Sequence, residues 1–199
     1  QMMGEALPRL QRFGSATTLF ISVAAGTPML AFEEVLGWST PIVRAMPNTP
    51  AAVGQGITAL IGNGRATEKD LSEAQNLMAA VGLTIVLQDE GQMDAVTGVS
   101  GSGPAYVFHM IETLAQAGVK QGLPADMAMQ LAKATVAGAG ALAMQSDESA
   151  EQLRVNVTSP NGTTQAALDV LMRDKTGLQS LMTKAVKAAT KRSQELSNG

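Results

Sequence analysis

Leu83-Thr84-Ile85-Val86-Leu87 is the last β-rich run in the chain, and the fold is decided by the contrast on its two sides. Upstream, helix and strand alternate. Met3 and Gly4 follow Gln1-Met2 into a helical pattern carrying Leu7 and Leu10. Thr17 to Ala25 (TTLFISVAA) is a short β-rich run ending at Gly26. Pro28 to Leu36 reads as a helix, with Pro in its first turn and Gly37 just past its end. Pro41 to Met46 (PIVRAM) and Gly56 to Ile61 (GITALI) read as the next strands, the latter closed by Gly62-Asn63-Gly64. Thr67 opens a helix that runs through Val81, with Asp70 as the reciprocal partner of a capping box. Alternation of this kind predicts an α/β sheet over residues 1–88 with helices on its faces.

Downstream the strand signal is gone, and residues 89–199 read as an all-α part. Pro104 to Gln121 is helical, with Pro at its start and Gly122 past its end. Ala125 to Gln145 is apolar or small almost all round, its charged and amide residues before the end being only Asp126, Gln130 and Lys133. A helix without a polar face is buried, in a large core or against a partner chain, and a part this small points to an intertwined dimer. Ser149 to Val155, Thr164 to Met172 and Lys175 to Leu196 complete the helical set. Lys184, Lys187 and Lys191 form one stripe on the last of these, best read as a solvated face.

Composition narrows the chemistry. The 199 residues are 45% hydrophobic but only 3% aromatic, so the core is built from Ala, Val, Leu, Ile and 12 Met. A net charge of -3 gives no electrostatic case for nucleic acid. The absence of cysteine excludes disulfides and a Cys nucleophile, and a single His, His109, excludes a multi-His metal centre. No apolar run is long enough to span a bilayer and no signal-peptide pattern opens the chain, so a cytoplasmic location is expected.

Four segments could carry chemistry. Thr158-Ser159-Pro160-Asn161-Gly162-Thr163-Thr164 is a sharp turn leading into a helix. The helix N-terminus offers free N–H groups and partial positive charge to a carboxylate or phosphate, and the hydroxyls of Thr158, Ser159, Thr163 and Thr164 surround it. A well-capped helix is the plainer alternative. Ser22 to Gly26 and Arg44 to Pro50 each follow a strand, where open α/β sheets bind ligands; each also reads as a rigid turn. Gly98-Val99-Ser100-Gly101-Ser102-Gly103-Pro104 reads as a loop that lets a flat ligand approach the backbone, or as a hinge, preceded by Glu90 and Asp94. It is not a dinucleotide fingerprint, having neither the strand before it nor the spacing. His109 lies on a mostly apolar helical segment and reads as a satisfied or interfacial histidine. No nucleophile–base pair or metal set emerges, which suits chemistry carried by a cofactor.

Taken together, ISVAAG, VRAMPNTPA, DAVTGVSGSGPAYVF, AGVKQGLP and VTSPNGTTQAAL resemble, in order and spacing, the Δ1-pyrroline-5-carboxylate reductase family over essentially the whole chain. The resemblance implies that residues 1–88 are the C-terminal portion of a Rossmann-like dinucleotide-binding domain. It implies that 89–199 form an all-α dimerisation and substrate domain, the dimers assembling further into rings. The implied reaction is hydride transfer from NADPH or NADH to the C=N carbon of pyrroline-5-carboxylate, giving L-proline.

Residue by residue, Thr164 would be catalytic, its hydroxyl bonding the ring nitrogen. Thr163, Thr164 and Ser159 would seat the substrate carboxylate, and Glu90 would be a substrate-side acid. Val23, Ala24, Ala25, Met46, Pro47, Asn48, Pro104 and Asn156 would face the cofactor; no metal is implied. The family's glycine-rich loop is not among these residues, nor is the segment that reads the 2′ position of the adenosine ribose. The chain is therefore expected to begin partway into the dinucleotide domain, and to bind cofactor poorly by itself. Asn161 stands where the family commonly has Gly, and Asn tolerates positive φ. The competing expectations are a helical oligomerisation module without catalysis, and a related imine or hydroxyacid reductase. The latter usually needs a Lys or His acid/base, which these motifs lack.

Overall fold

A computed structural model describes residues 3–197; Gln1 and Met2, expected to open the first helix, lie outside them. The chain forms two compact units, Gln1–Pro104 with Ala185–Gly199, and Ala105–Lys184. The divisions fall inside helices; the change of composition at 88/89 marks the end of the sheet instead.

The first unit holds α1 (Met3–Leu10), β1 (Phe20–Ser22), α2 (Met29–Leu36), β2 (Ile42–Met46), β3 (Gly56–Gly62), α3 (Glu68–Ala79) and β4 (Gly82–Val86). The four strands pair in sequence order, parallel, antiparallel and parallel. Helices α2 and α3 make the two parallel crossovers. Residues 47–55 are too short for such a crossover, which takes a dozen or so residues. They turn the chain back through a 3₁₀ turn (Thr49–Val53) and Gly54 at φ 71°, so β3 runs antiparallel to β2.

The strand expected over 17–25 contracts to Phe20–Ser22. The Ser15 hydroxyl binds that of Thr18 at 2.9 Å and accepts from the Thr17 amide, holding this stretch in a local turn that competes with strand pairing. Central strand β2 is buried on both faces. Ile42 packs with Leu7, Met29, Phe32 and Leu36 under α1 and α2. Val43 and Ala45 pack with Leu60 of β3 and Ala74 of α3 on the opposite face. The result is a layer of sheet between two layers of helix. The capping box of α3 forms as expected, Thr67 and Asp70 each accepting from the other's backbone. Donation from the Thr67 hydroxyl and amide holds the Asp70 carboxyl below its usual range.

The glycine-rich segment expected as a loop is helical. α4 (Gln92–Val96), a π-helical turn (Thr97–Gly101) and α5 (Gly103–Lys120) follow with Ser102 alone between the last two. The reason is close packing inside the first unit. A Cβ on Gly98 would lie 2.5 Å from the Thr190 hydroxyl and 3.1 Å from the Val186 carbonyl of α9 (Leu178–Ser197). One on Gly101 would lie 2.8 Å from the Met46 methyl. Glycine here lets helix backbone approach its neighbours rather than freeing a loop. Ser193 anchors the same contact, donating to Asp94 Oδ1 at 2.6 Å.

The second unit contains the body of α5, then α6 (Ala125–Gln145), α7 (Ala150–Asn156), α8 (Thr163–Leu171) and the start of α9. Its buried side chains, among the described residues, are only Ala115, Ala128 and Ala132. Helix α6, expected to be buried, is exposed over most of its length in the single chain.

Candidate functional site

The two loops expected on the cofactor side leave the sheet from neighbouring points. Ser22 and Arg44 are register partners on parallel strands, so Val23–Ala25 and Met46–Asn48 emerge at the same carboxyl edge. Ser22 Oγ accepts from the Ala24 amide at 3.2 Å, shaping the first loop before Gly26 reverses it at φ 69°. Val23 and Ala25 are exposed, and Ala24 is half-buried. In the second loop Met46 covers Gly101. Asn48 Oδ1 accepts from the Ile57 amide at 2.9 Å, and its Nδ2 donates to the Ser100 carbonyl at 3.2 Å. The amide thus fastens the loop to β3 and to the π turn. One N–H and one lone pair remain on it for a ligand. Pro104 is half-buried in the first turn of α5, where proline loses no helical bond. Exposed small residues and a fixed backbone at the carboxyl edge fit one flank of a dinucleotide.

Glu90 is neither a lone surface acid nor an uncommitted one. Its Oε1 accepts from the Met29 amide at 2.7 Å and pairs with the Arg44 guanidinium. Arg44 is buried, and its Nε has no partner among the described residues.

In the second unit the Ser159–Gly162 turn closes through the Gly162 amide and Ser159 carbonyl at 3.0 Å. Proline at its second position and Asn161 at φ 59° at its third are what a type II turn requires. A Cβ on Gly162 would stand 2.3 Å from the Ser159 hydroxyl and 3.1 Å from its carbonyl, so a side chain there would displace the Ser159 hydroxyl from its present place. Gly162, not a hydroxyl residue, is the N-cap of α8, and no side chain caps it. The first-turn N–H groups therefore face outward with the Thr163 and Thr164 hydroxyls beside them. Thr158 leaves this group: its hydroxyl donates to the Arg154 carbonyl at 2.6 Å and closes the end of α7. Asn156 is held on α7, donating to Glu148 at 2.9 Å and accepting from Gln152 at 2.7 Å. His109 is exposed and pairs with Glu112 at 3.1 Å, apart from any of these residues' contacts. No group of three or more metal-ligating side chains occurs among the described residues.

Sequence reasoning passed over two organising residues. Asn63, taken only as part of a turn, accepts from the amides of Ile42, Arg65 and Ala66 and donates to Glu33 and the Thr40 carbonyl. Arg44 looked like one polar residue in an apolar strand; that oddity was the available signal for a buried ion pair.

Comparison with known proteins gives a consistent result. A family model described as pyrroline-5-carboxylate reductase dimerisation matches residues 90–196. The pyrroline-5-carboxylate reductase of Pseudomonas aeruginosa is 43% identical over 178 residues, covering 89% of this chain and 64% of that protein. That of Synechocystis is 46% identical over 183 residues, covering 92% of this chain and 67% of that protein. The chain thus spans about two thirds of the length of these curated relatives. Among solved structures, the pyrroline-5-carboxylate reductase of Coxiella burnetii superposes with a TM-score of 0.92 at 39% identity, over 98% of this chain and 72% of that one. The NADP-bound pyrroline carboxylate reductase of Plasmodium falciparum does so with a TM-score of 0.87 at 31% identity, over 98% and 77%. With its mixed sheet, its helical second half and these relatives, the chain belongs to the pyrroline-5-carboxylate reductase family.

Proposed function

We propose that the chain serves the NAD(P)H-dependent reduction of Δ1-pyrroline-5-carboxylate to L-proline, the last step of proline synthesis. The observation that carries this is the uncapped N-terminus of α8 behind a positive-φ turn, flanked by Thr163 and Thr164. The substrate is a small carboxylate with an imine. The first-turn amides, with Ser159, hold the carboxylate through charge-assisted hydrogen bonds. The Thr164 hydroxyl holds the ring nitrogen; being neutral, it orients the C=N bond without competing as a nucleophile. Bound NADPH or NADH supplies the hydride. In the first unit Val23–Ala25 and Met46–Asn48 at the sheet edge, with Pro104, would hold it; in the second, the family resemblance assigns Asn156 to it.

The protein works as a homo-oligomer, through a dimer formed by the helical half. A unit whose buried side chains are three alanines, and which leaves Phe108 62% and Met144 71% exposed, needs a second apolar surface to be stable. Dimers assemble further into rings of dimers in the cytoplasm, in keeping with the family resemblance. No described helix is long and apolar enough to cross a membrane. The test is NADPH oxidation, followed spectroscopically with and without pyrroline-5-carboxylate, using this chain and the complete gene product. Imine-dependent oxidation by the complete product supports the reading, and its absence refutes it.

A further inference from the structure

We propose that Glu90 is a positioning residue for the nucleotide-side edge of the sheet, tying together the two loops that form it. This rests on reading Val23–Ala25 and Met46–Asn48 as nucleotide-side, and it moves Glu90 away from the substrate. One carboxylate oxygen accepts from Met29, the first residue of α2, and from Arg44 of β2. Helix α2 is the element that follows the Val23–Ala25 loop. Strand β2 is the element that ends in the Met46–Asn48 loop, two residues beyond Arg44. The brace therefore joins the landing point of one loop to the take-off point of the other.

Its chemistry suits a brace better than a substrate ligand. The Arg44 side chain is only 8% exposed, against 36% for Glu90. With Arg44 Nε unpartnered, the carboxylate is what balances this buried cation among the described residues. The carboxylate also lies at the N-terminus of α2, where partial positive charge favours it. Its negative charge is already matched by Arg44, so it is committed to the brace rather than to a cationic imine. Freed from it, the first turn of α2 and the end of β2 shift independently. Displacements of about 1 Å at a positioning contact are enough to weaken function by about a hundredfold.

The experiment compares wild type, Glu90→Gln and the double variant Arg44→Met/Glu90→Leu in the complete gene product. NADPH binding is titrated without imine, KM is measured for both substrates, and amide exchange is followed at Met29. Glu90→Gln should weaken NADPH binding about tenfold or more and speed exchange at Met29, with the imine KM changed less than about twofold. The double variant removes the buried cation with its partner, so it keeps the fold if Glu90→Gln alone does not. It should still bind NADPH weakly, because Met29 remains uncapped. A folded double variant that binds NADPH like wild type overturns the proposal. So does a Glu90→Gln enzyme with unchanged NADPH affinity and a raised imine KM, which would return Glu90 to the substrate. A wild-type product that fails to bind NADPH overturns the nucleotide-side reading itself, whatever the variants do.

Discussion

Gly98→Ala tests whether the glycine-rich segment is packed helix or free loop. In a loop the added methyl would be harmless or mildly stabilising. In the structure it would stand 2.5 Å from the Thr190 hydroxyl and 3.1 Å from the Val186 carbonyl. Neither atom yields easily: one is on a β-branched side chain close to its backbone, and the other is backbone. The helices must part by several tenths of an ångström, an overpacking cost of about 1–3 kcal/mol. Replacing helical Gly by Ala returns up to about 1 kcal/mol. The net loss is about 1–2 kcal/mol. For a chain of this size that lowers Tm by about 2–8 °C. Thr190→Ala removes the nearer obstacle. In a double-mutant cycle followed by thermal denaturation, the pair should show favourable coupling of about 0.5 kcal/mol or more. A rise in Tm for Gly98→Ala, or coupling indistinguishable from zero, would refute the packing argument.

Thr164→Ala should lower kcat by about a hundredfold while the oligomer, read by light scattering, stays intact; full turnover at saturating imine would remove Thr164 from the reaction. Asn63→Ala strands the Ile42 amide and Thr40 carbonyl, and should cost about 2 kcal/mol or more in urea denaturation; an unchanged midpoint would show that water replaces the side chain. Asn161→Val should destabilise the turn and Asn161→Gly should not, because a Cβ disfavours positive φ, most of all in a β-branched residue, and glycine has none; equal melting temperatures would contradict the left-handed geometry. Dilution should lower the melting temperature, since burial of the helical half depends on a second copy; a concentration-independent Tm together with a monomeric mass would count against the dimer.

Local rules reached far along this chain. Ala125–Gln145 was legible to the residue, because Pro124 and Ser146 bracket an unbroken helical run. The Thr67–Asp70 box was legible because both partners lie within one turn. The Asn161 turn was legible because positive φ is a property of single residues. Of the candidate site, the string around Thr163 and Thr164 stood out, but not the loss of Thr158 to Arg154 or the role of Gly162 as cap. These turn on which acceptor a hydroxyl meets in space.

The sequence by itself determined the α/β half, the helical half and the family, since periodicity, capping and motif order are written in neighbouring residues. Tertiary structure alone decided two things: the helical state of the glycine-rich segment, and the joining of Glu90 to Met29 and Arg44. Each depends on groups far apart in the chain, whose approach is set by packing that no local pattern encodes.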